Sequence, residues 1–237
     1  MAARNQSIDY APQRREIARR RGMPWLRVQT GVSLDGRTAL LNGVSQWING
    51  ESARRDSHAW REQADAVLTG IGTILADDPR LNVRLVPTDR QPMRVIVDSQ
   101  LSTPPGARIF EEPGPVRIYT ASPDVHRFRA LEARGATVIS QQMQGHSVDL
   151  QGVIADLRAL GVEEIHVEAG SKINGSLLQS GLVDELLVYV APKLLGEGYG
   201  LAAIGSITRL NQGLDFSFQG AAAVGSDLRI LLTPQAR

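Results

Sequence analysis

Four clusters of small and polar residues could carry chemistry in this 237-residue chain. They are Ser33-Leu34-Asp35-Gly36-Arg37, Thr69-Gly70-Ile71-Gly72-Thr73 followed by Ala76-Asp77-Asp78-Pro79, Asp98-Ser99, and Glu168-Ala169-Gly170-Ser171-Lys172. Such residues suit a cradle for a phosphorylated cofactor. Orphan N–H groups at helix starts favour an anion, and glycine lets that anion approach the backbone closely. Gly70-Ile71-Gly72 is not a dinucleotide fingerprint, because Leu75 stands three places after Gly72 where glycine would be needed. Two glycines there also serve a plain tight turn. Glu168-Ala169-Gly170 opens a helix containing Asn174-Gly175 and is the better signal, although such a stretch alone is more often just a helix start. Arg61 and Arg84 offer guanidinium forks for a substrate phosphate, in a chain where 24 of 26 basic residues are Arg. Asp77-Asp78 could hold Mg²⁺ or cap the turn before Pro79. His58, His126, His146 and His166 lack metal-ligand spacing, so no metal site is expected. His166 reads as a satisfied interior or edge residue. Neither a Gly-x-Ser-x-Gly elbow nor a hydrolytic triad can be assembled.

The elements that must position these residues alternate. Leu26 to Val32, Ala66 to Gly70, Arg94 to Val97, Val116 to Tyr119, Val138-Ile139 and Ile165 to Val167 read as strands. Helices are expected over Glu51 to Gln63 with Asn49 as N-cap, Pro123 to Arg134, Leu150 to Leu160, and Gly170 to Gln179. The last third of the chain departs from this alternation. There Glu185 to Val190, Leu214 to Phe218 and Leu228 to Leu232 are strands with no convincing helix between them. The prediction is an α/β domain with a mostly parallel central sheet, covered on both faces, and antiparallel C-terminal strands. In such sheets ligands bind at the carboxyl ends of the strands, where the four clusters fall. Residues 1–24 differ from the rest, with six Arg against Asp9 and Glu16 and no apolar periodicity. They read as a basic flexible arm or a linker remnant, followed by a single domain over 25–237.

Composition narrows the function classes. A net charge of +1 argues against a dedicated nucleic-acid partner, and 42% apolar with 22% charged residues is ordinary globular usage. With no cysteine, the chain can hold no disulfide, thiolate-bound zinc, iron–sulfur cluster or cysteine nucleophile. No apolar run reaches membrane-spanning length and the N-terminus is too polar for a signal peptide, so no membrane partner is expected and a cytoplasmic protein is.

At these same residues the chain resembles a known family. Ser33 to Ala39, Ser45-Gln46-Trp47-Ile48, Thr73 to Leu81, Glu168-Ala169-Gly170, Gly181 to Glu185 and Ala191 to Gly196 occur in that order. Together they resemble the reductase half of the bifunctional riboflavin-biosynthesis deaminase/reductase, from about Trp25 to the C-terminus. The resemblance implies a dihydrofolate-reductase-like three-layer sandwich and NADPH as cofactor. It implies reduction of the ribosyl group of 5-amino-6-(5-phosphoribosylamino)uracil to ribityl. On its terms Gly31, Trp47, Thr73, Asp77, Ser99 and the turn Gly170, Ser171, Lys172, Ile173, Asn174, Gly175, Ser176 line the NADPH site. Ser45, Arg61, Leu81, Arg84 and Glu168 face the substrate, the two arginines near its phosphate. Asp77 and Glu168 are the catalytic candidates that could manage a proton or orient hydroxyls. Two departures stand out: Gln29 occupies a position where many members carry Lys, and the cysteine-bearing deaminase half has no counterpart. The chain is then either a free-standing reductase or part of a longer protein, with a fused or separate deaminase as partner. The alternatives are a relative that reduces another pterin or pyrimidine, or a non-catalytic binding module. A homodimer is expected too, from the resemblance and from apolar Leu186 to Pro192 and Leu228 to Thr233.

Overall fold

A computed structural model describes residues 11–145 and 147–235. The chain runs α1 (Ala11–Arg21), β1 (Trp25–Ser33), β2 (Arg37–Leu40), α2 (Glu51–Gln63), β3 (Ala66–Gly70), α3 (Ile71–Asp77), β4 (Met93–Val97), β5 (Val116–Thr120), α4 (Val125–Glu132), β6 (Ala136–Ser140), β7 (Met143–Gln144), β8 (Ser147–Val148), α5 (Leu150–Ala159), β9 (Glu164–Val167), α6 (Ser171–Gln179), β10 (Glu185–Ala191), β11 (Gly198–Gly200), β12 (Phe216–Val224) and β13 (Asp227–Pro234). Nine strands form one sheet in the order β12-β13-β10-β1-β9-β3-β4-β5-β6. From β10 to β6 every neighbouring pair is parallel. β13 and then β12 add antiparallel strands at one edge. The expected architecture is present, with one refinement. β10 is itself a parallel strand beside β1, so the antiparallel part begins only at β13.

Local sequence explains the layers. β3, buried at every residue, and β4, buried at all but its first, are the continuous apolar runs of a sheet covered on both sides. α5 buries Leu150, Val153, Ile154 and Leu157, the spacing of one helical face, starts on the Asp149 cap and is followed by Gly161 at φ 86°. Along each strand alternate residues serve opposite faces. Val28, Leu68, Val95 and Leu186 join α5 and α6 in one core. Val67, Ile96 and Ile118 join α3 and α4 in a second, while Leu187 and Tyr189 pack under α2. The functional clusters therefore project from the α2 face or from the carboxyl edge.

Two expectations are corrected. Asn49 does not cap α2; Gly50 does, and its N–H donates to Asp227 (2.7 Å) while the Asn49 amide donates to the Tyr189 carbonyl (3.1 Å). Of the expected arm, residues 1–10 lie outside the described residues, but 11–21 form a docked helix. Arg15 donates to Asp65 (2.8 and 2.9 Å) and Arg19 to Glu163 (2.6 Å). Arg14 is buried against Trp60, within 3.6 Å of Glu164 and 3.9 Å of Glu185. Without an apolar stripe, this helix is held by guanidinium–carboxylate contacts. No helix among the described residues is long and apolar enough to cross a membrane.

Candidate functional site

A cleft of about 430 Å³ opens on the α2 face of the sheet. Its floor comes from β1 and β10 and its wall from α2. Gln29 and Gly31, two apart on β1, point the same way, and Tyr189 stands opposite Gly31 on β10. α2 turns Ala53, Ser57, His58 and Arg61 inward, one helical face. Glu168 enters from the residue just beyond β9, and Arg84 and Leu85 close the rim. A Cβ on Gly31 would overlap the Asn49 carboxamide, so a larger residue there would have to displace that side chain.

Arg61 spans the cleft floor. Its Nε and Nη2 donate to the two oxygens of Glu168 at 2.7 and 2.8 Å, and Nη1 donates to the Asn82 carbonyl. All three arms of this guanidinium are occupied, which makes Arg61 the clamp of Glu168. The fork takes a lone pair on each carboxylate oxygen, so Glu168 is cast as an orienting acceptor. Arg84 differs. Its side chain is exposed and, among the described residues, donates only to Asn82 Oδ1 (3.0 Å), while its backbone N–H donates to His58 Nδ1 (3.1 Å). Desolvation, then Arg61, lowers the Arg84 pKa from its ordinary value, while Glu168 acts in the opposite direction. Burial, then Arg61 and Arg84, pushes the His58 imidazole down to about 3, so the ring accepts that N–H as a neutral base.

The remaining candidates divide. Trp47 lines the cleft in the left-handed region (φ 68°), with Arg54 stacked 4.3 Å from its ring. Leu81, buried, is also left-handed (φ 51°), and such backbone is costly enough to be held only by its surroundings. Ser45 donates to Asp77 at 2.8 Å, joining two candidates from distant motifs. Thr73 in α3, Ser99 after β4 and Gly170 before α6 lie along the carboxyl edge of adjacent strands β4, β3 and β9. The Ser99 hydroxyl already accepts the Val148 N–H (3.1 Å). Among the described residues, a Cβ at Gly72 or Gly170 would meet nothing within 4 Å and α6 has no side-chain cap, so this edge is open to a ligand. Asn174 and Gly175 are not part of that opening. Asn174 donates to the Leu201 carbonyl (3.1 Å), and Gly175 is pressed against the Ala203 backbone. The Ser176 hydroxyl turns back to the Lys172 carbonyl at 3.0 Å.

Sequence reasoning passed over Ser57 and Tyr189, and it weighed His58 only as a metal ligand and His166 as that or as an interior or edge residue. The signal was present: His166 lies two residues before Glu168 and faces the same side of the sheet, and Ser57, His58 and Arg61 share one helical face. Asp35, in the first of the four clusters, takes a structural part instead. Its carboxylate accepts from Ser33 Oγ (2.5 Å) and from the N–H groups of Leu195 and Gly196 (3.1 and 2.7 Å), which holds its pKa down at about 2. Asp35 thus ties two of the ordered motifs together as a scaffold.

A family model described as the RibD C-terminal domain matches residues 24–230. The riboflavin biosynthesis protein RibD of Escherichia coli is 39% identical over 222 residues, covering 88% of this chain and 59% of that protein. The chain thus spans about three fifths of the length of that relative. Among solved structures, Acinetobacter baumannii RibD superimposes with a TM-score of 0.80 at 33% identity, over 91% of this chain and 59% of that one. A Thermotoga maritima structure, a diaminohydroxyphosphoribosylaminopyrimidine deaminase/5-amino-6-(5-phosphoribosylamino)uracil reductase, superimposes at 0.76 with 24% identity, over 91% and 58%. Dihydrofolate reductase of Enterococcus faecalis, complexed with NADP(H), shares the fold at 12% identity and a TM-score of 0.50, over 91% and 98%. With its cleft, its ordered motifs and a dihydrofolate-reductase-like sheet, the chain belongs to the RibD C-terminal domain family.

Proposed function

We propose that this chain is the pyrimidine reductase of riboflavin biosynthesis, reducing the ribosyl group of 5-amino-6-(5-phosphoribosylamino)uracil to ribityl with NADPH. The observation that carries the reading is the pairing in one cleft of an exposed arginine, Arg84, whose side chain meets a neutral amide oxygen, with a carboxylate clamped by Arg61. Arg84 suits the substrate phosphate, which bears no reacting atom, so its task is positioning. Glu168, fixed from behind, suits an acceptor for substrate hydroxyl or amino groups. NADPH, when bound, supplies the hydride. The residues present fit it: Gly72, Thr73 and Gly170 to Ile173 offer an open backbone edge, and the start of α6 favours its pyrophosphate. Asn174 and Gly175 are assigned instead to support of that edge. Asp77, hydrogen-bonded to Ser45, is the remaining carboxylate candidate for handling a proton or a ribose hydroxyl.

The substrate must arrive from a deamination, supplied by a fused or separate deaminase. A cysteine-free chain suits the reducing cytoplasm, where we expect it to act. The test is product analysis. Purified protein with NADPH should convert the phosphoribosylaminouracil to a species heavier by two hydrogens, and an unchanged substrate alongside tight NADPH binding would contradict the substrate assignment.

A further inference from the structure

His166 takes no part in the proposed reduction, yet it lies wholly buried beneath the cleft. It stands in register between Arg27 of β1 and Val67 of β3, where an apolar residue would pack at less cost. Its Nε2 is 3.0 Å from Gln29 Oε1 and 3.5 Å from Glu168 Oε1, while Nδ1 has no partner among the described residues. An amide oxygen can only accept, so with the Gln29 carboxamide turned this way the ring proton sits on Nε2. The Ser57 hydroxyl donates to the same oxygen. Two donors occupy the two lone pairs of that oxygen, and the Gln29 NH₂ is left facing the cleft without an acceptor among the described residues. Burial first, then Arg27, Arg61 and Arg14, holds the His166 pKa well below its ordinary value, so the ring stays neutral.

We propose that His166 is a positioning residue that, together with Ser57, locks the Gln29 carboxamide with its NH₂ toward the cleft, so that the cleft selects a ring bearing a carbonyl acceptor at that point. A free amide could present either end, and the wrong end would set oxygen against oxygen. The locked amide rejects that arrangement before the ligand enters. The substrate class is therefore a planar heterocycle with a lactam-type oxygen directed at Gln29. This deepens the proposed function and rests on the cleft being the pyrimidine site.

The test combines tautomer and kinetics. Nitrogen NMR of protein carrying isotope-labelled histidine should show His166 neutral with its proton on Nε2. The Nδ1–H tautomer would overturn the lock whether or not the aminouracil is turned over. In kinetics, His166→Leu should raise KM for the aminouracil about tenfold, the scale of one ordering hydrogen bond, with NADPH affinity unchanged. His166→Gln, whose side-chain amide can replace the Nε2 donor, should recover most of that loss. Gln29→Leu should raise KM similarly, and adding His166→Leu to it should cost nothing further. Multiplying effects, or no change in KM, would overturn the proposal. If His166→Leu does not fold, Ser57→Ala carries the same comparison, alone and with Gln29→Leu. Failure of the wild type to reduce the aminouracil would count against the proposed function, while the tautomer result still decides the lock.

Discussion

Arg61 and Arg84 are the same residue type in one cleft and do opposite things. Every arm of Arg61 is held by Glu168 and Asn82, so this arginine builds the site. Among the described residues Arg84 holds one side-chain acceptor, and it lines the opening. Arg84→Ala should therefore raise KM for the phosphorylated substrate by roughly tenfold or more, the range of a lost charged hydrogen bond, and leave the NADPH dissociation constant nearly intact. A fall in NADPH affinity instead would assign this arginine to the wrong ligand. His58 carries a second prediction. Its folded-state pKa of about 3 lies below the ordinary 6.5, so between those values the unfolded chain binds more protons than the native one. Stability is then complete above the unfolded value and declines as pH falls from about 6.5 toward 3. Melting temperature should drop across that window, and His58→Asn, which keeps an acceptor for the Arg84 N–H but cannot titrate there, should flatten the slope. An unchanged slope would mean that other groups carry the acid sensitivity.

Among the elements, those built on periodicity were legible and those built on charge were not. α5 follows from Leu150, Val153, Ile154 and Leu157, and the parallel sheet follows from apolar runs such as Val95-Ile96-Val97. α1 offered no such pattern, because guanidinium groups dock it on carboxylates contributed by β9, β10 and the residues just before β3 and β9. Sequence distance hid those partners: Arg19 and Glu163 are 144 residues apart. The small ribbon of β2 with β11 was hidden for the same reason. Ser57 and His166 carried a signal of spacing relative to Arg61 and Glu168, but they come together at the site only when α2 is laid across β1 and β9. The amides of Ala18 to Arg21 should accordingly exchange slowly with solvent, and Arg14→Ala should cost roughly 3 kcal/mol, the low end for a broken buried ion pair because Arg27 still faces both carboxylates. Fast exchange across α1 with no loss of stability would restore the solvated arm.

For the whole molecule, the sheet reassigns the apolar C-terminal stretches. Leu186 to Ala191 is flanked by β1 and β13, so its apolar character is explained within the chain and gives no reason for a partner. The sheet nevertheless ends in β12, an open strand whose Phe218 is 75% exposed, and β13 beside it leaves Leu228 42% exposed. An uncovered edge of this kind invites pairing, and we propose the homodimer there. Light scattering should return twice the chain mass of 25.7 kDa, and Phe218→Lys should shift it toward the monomer. A monomeric wild type would remove the claim. The central claim concerns the substrate, and it is tested most directly by following NADPH oxidation with the phosphoribosylaminouracil and, separately, with dihydrofolate. Oxidation with the aminouracil alone is the result expected of a cleft carrying Arg84, clamped Glu168 and Gln29. Oxidation with dihydrofolate, or with neither while NADPH still binds, would contradict it.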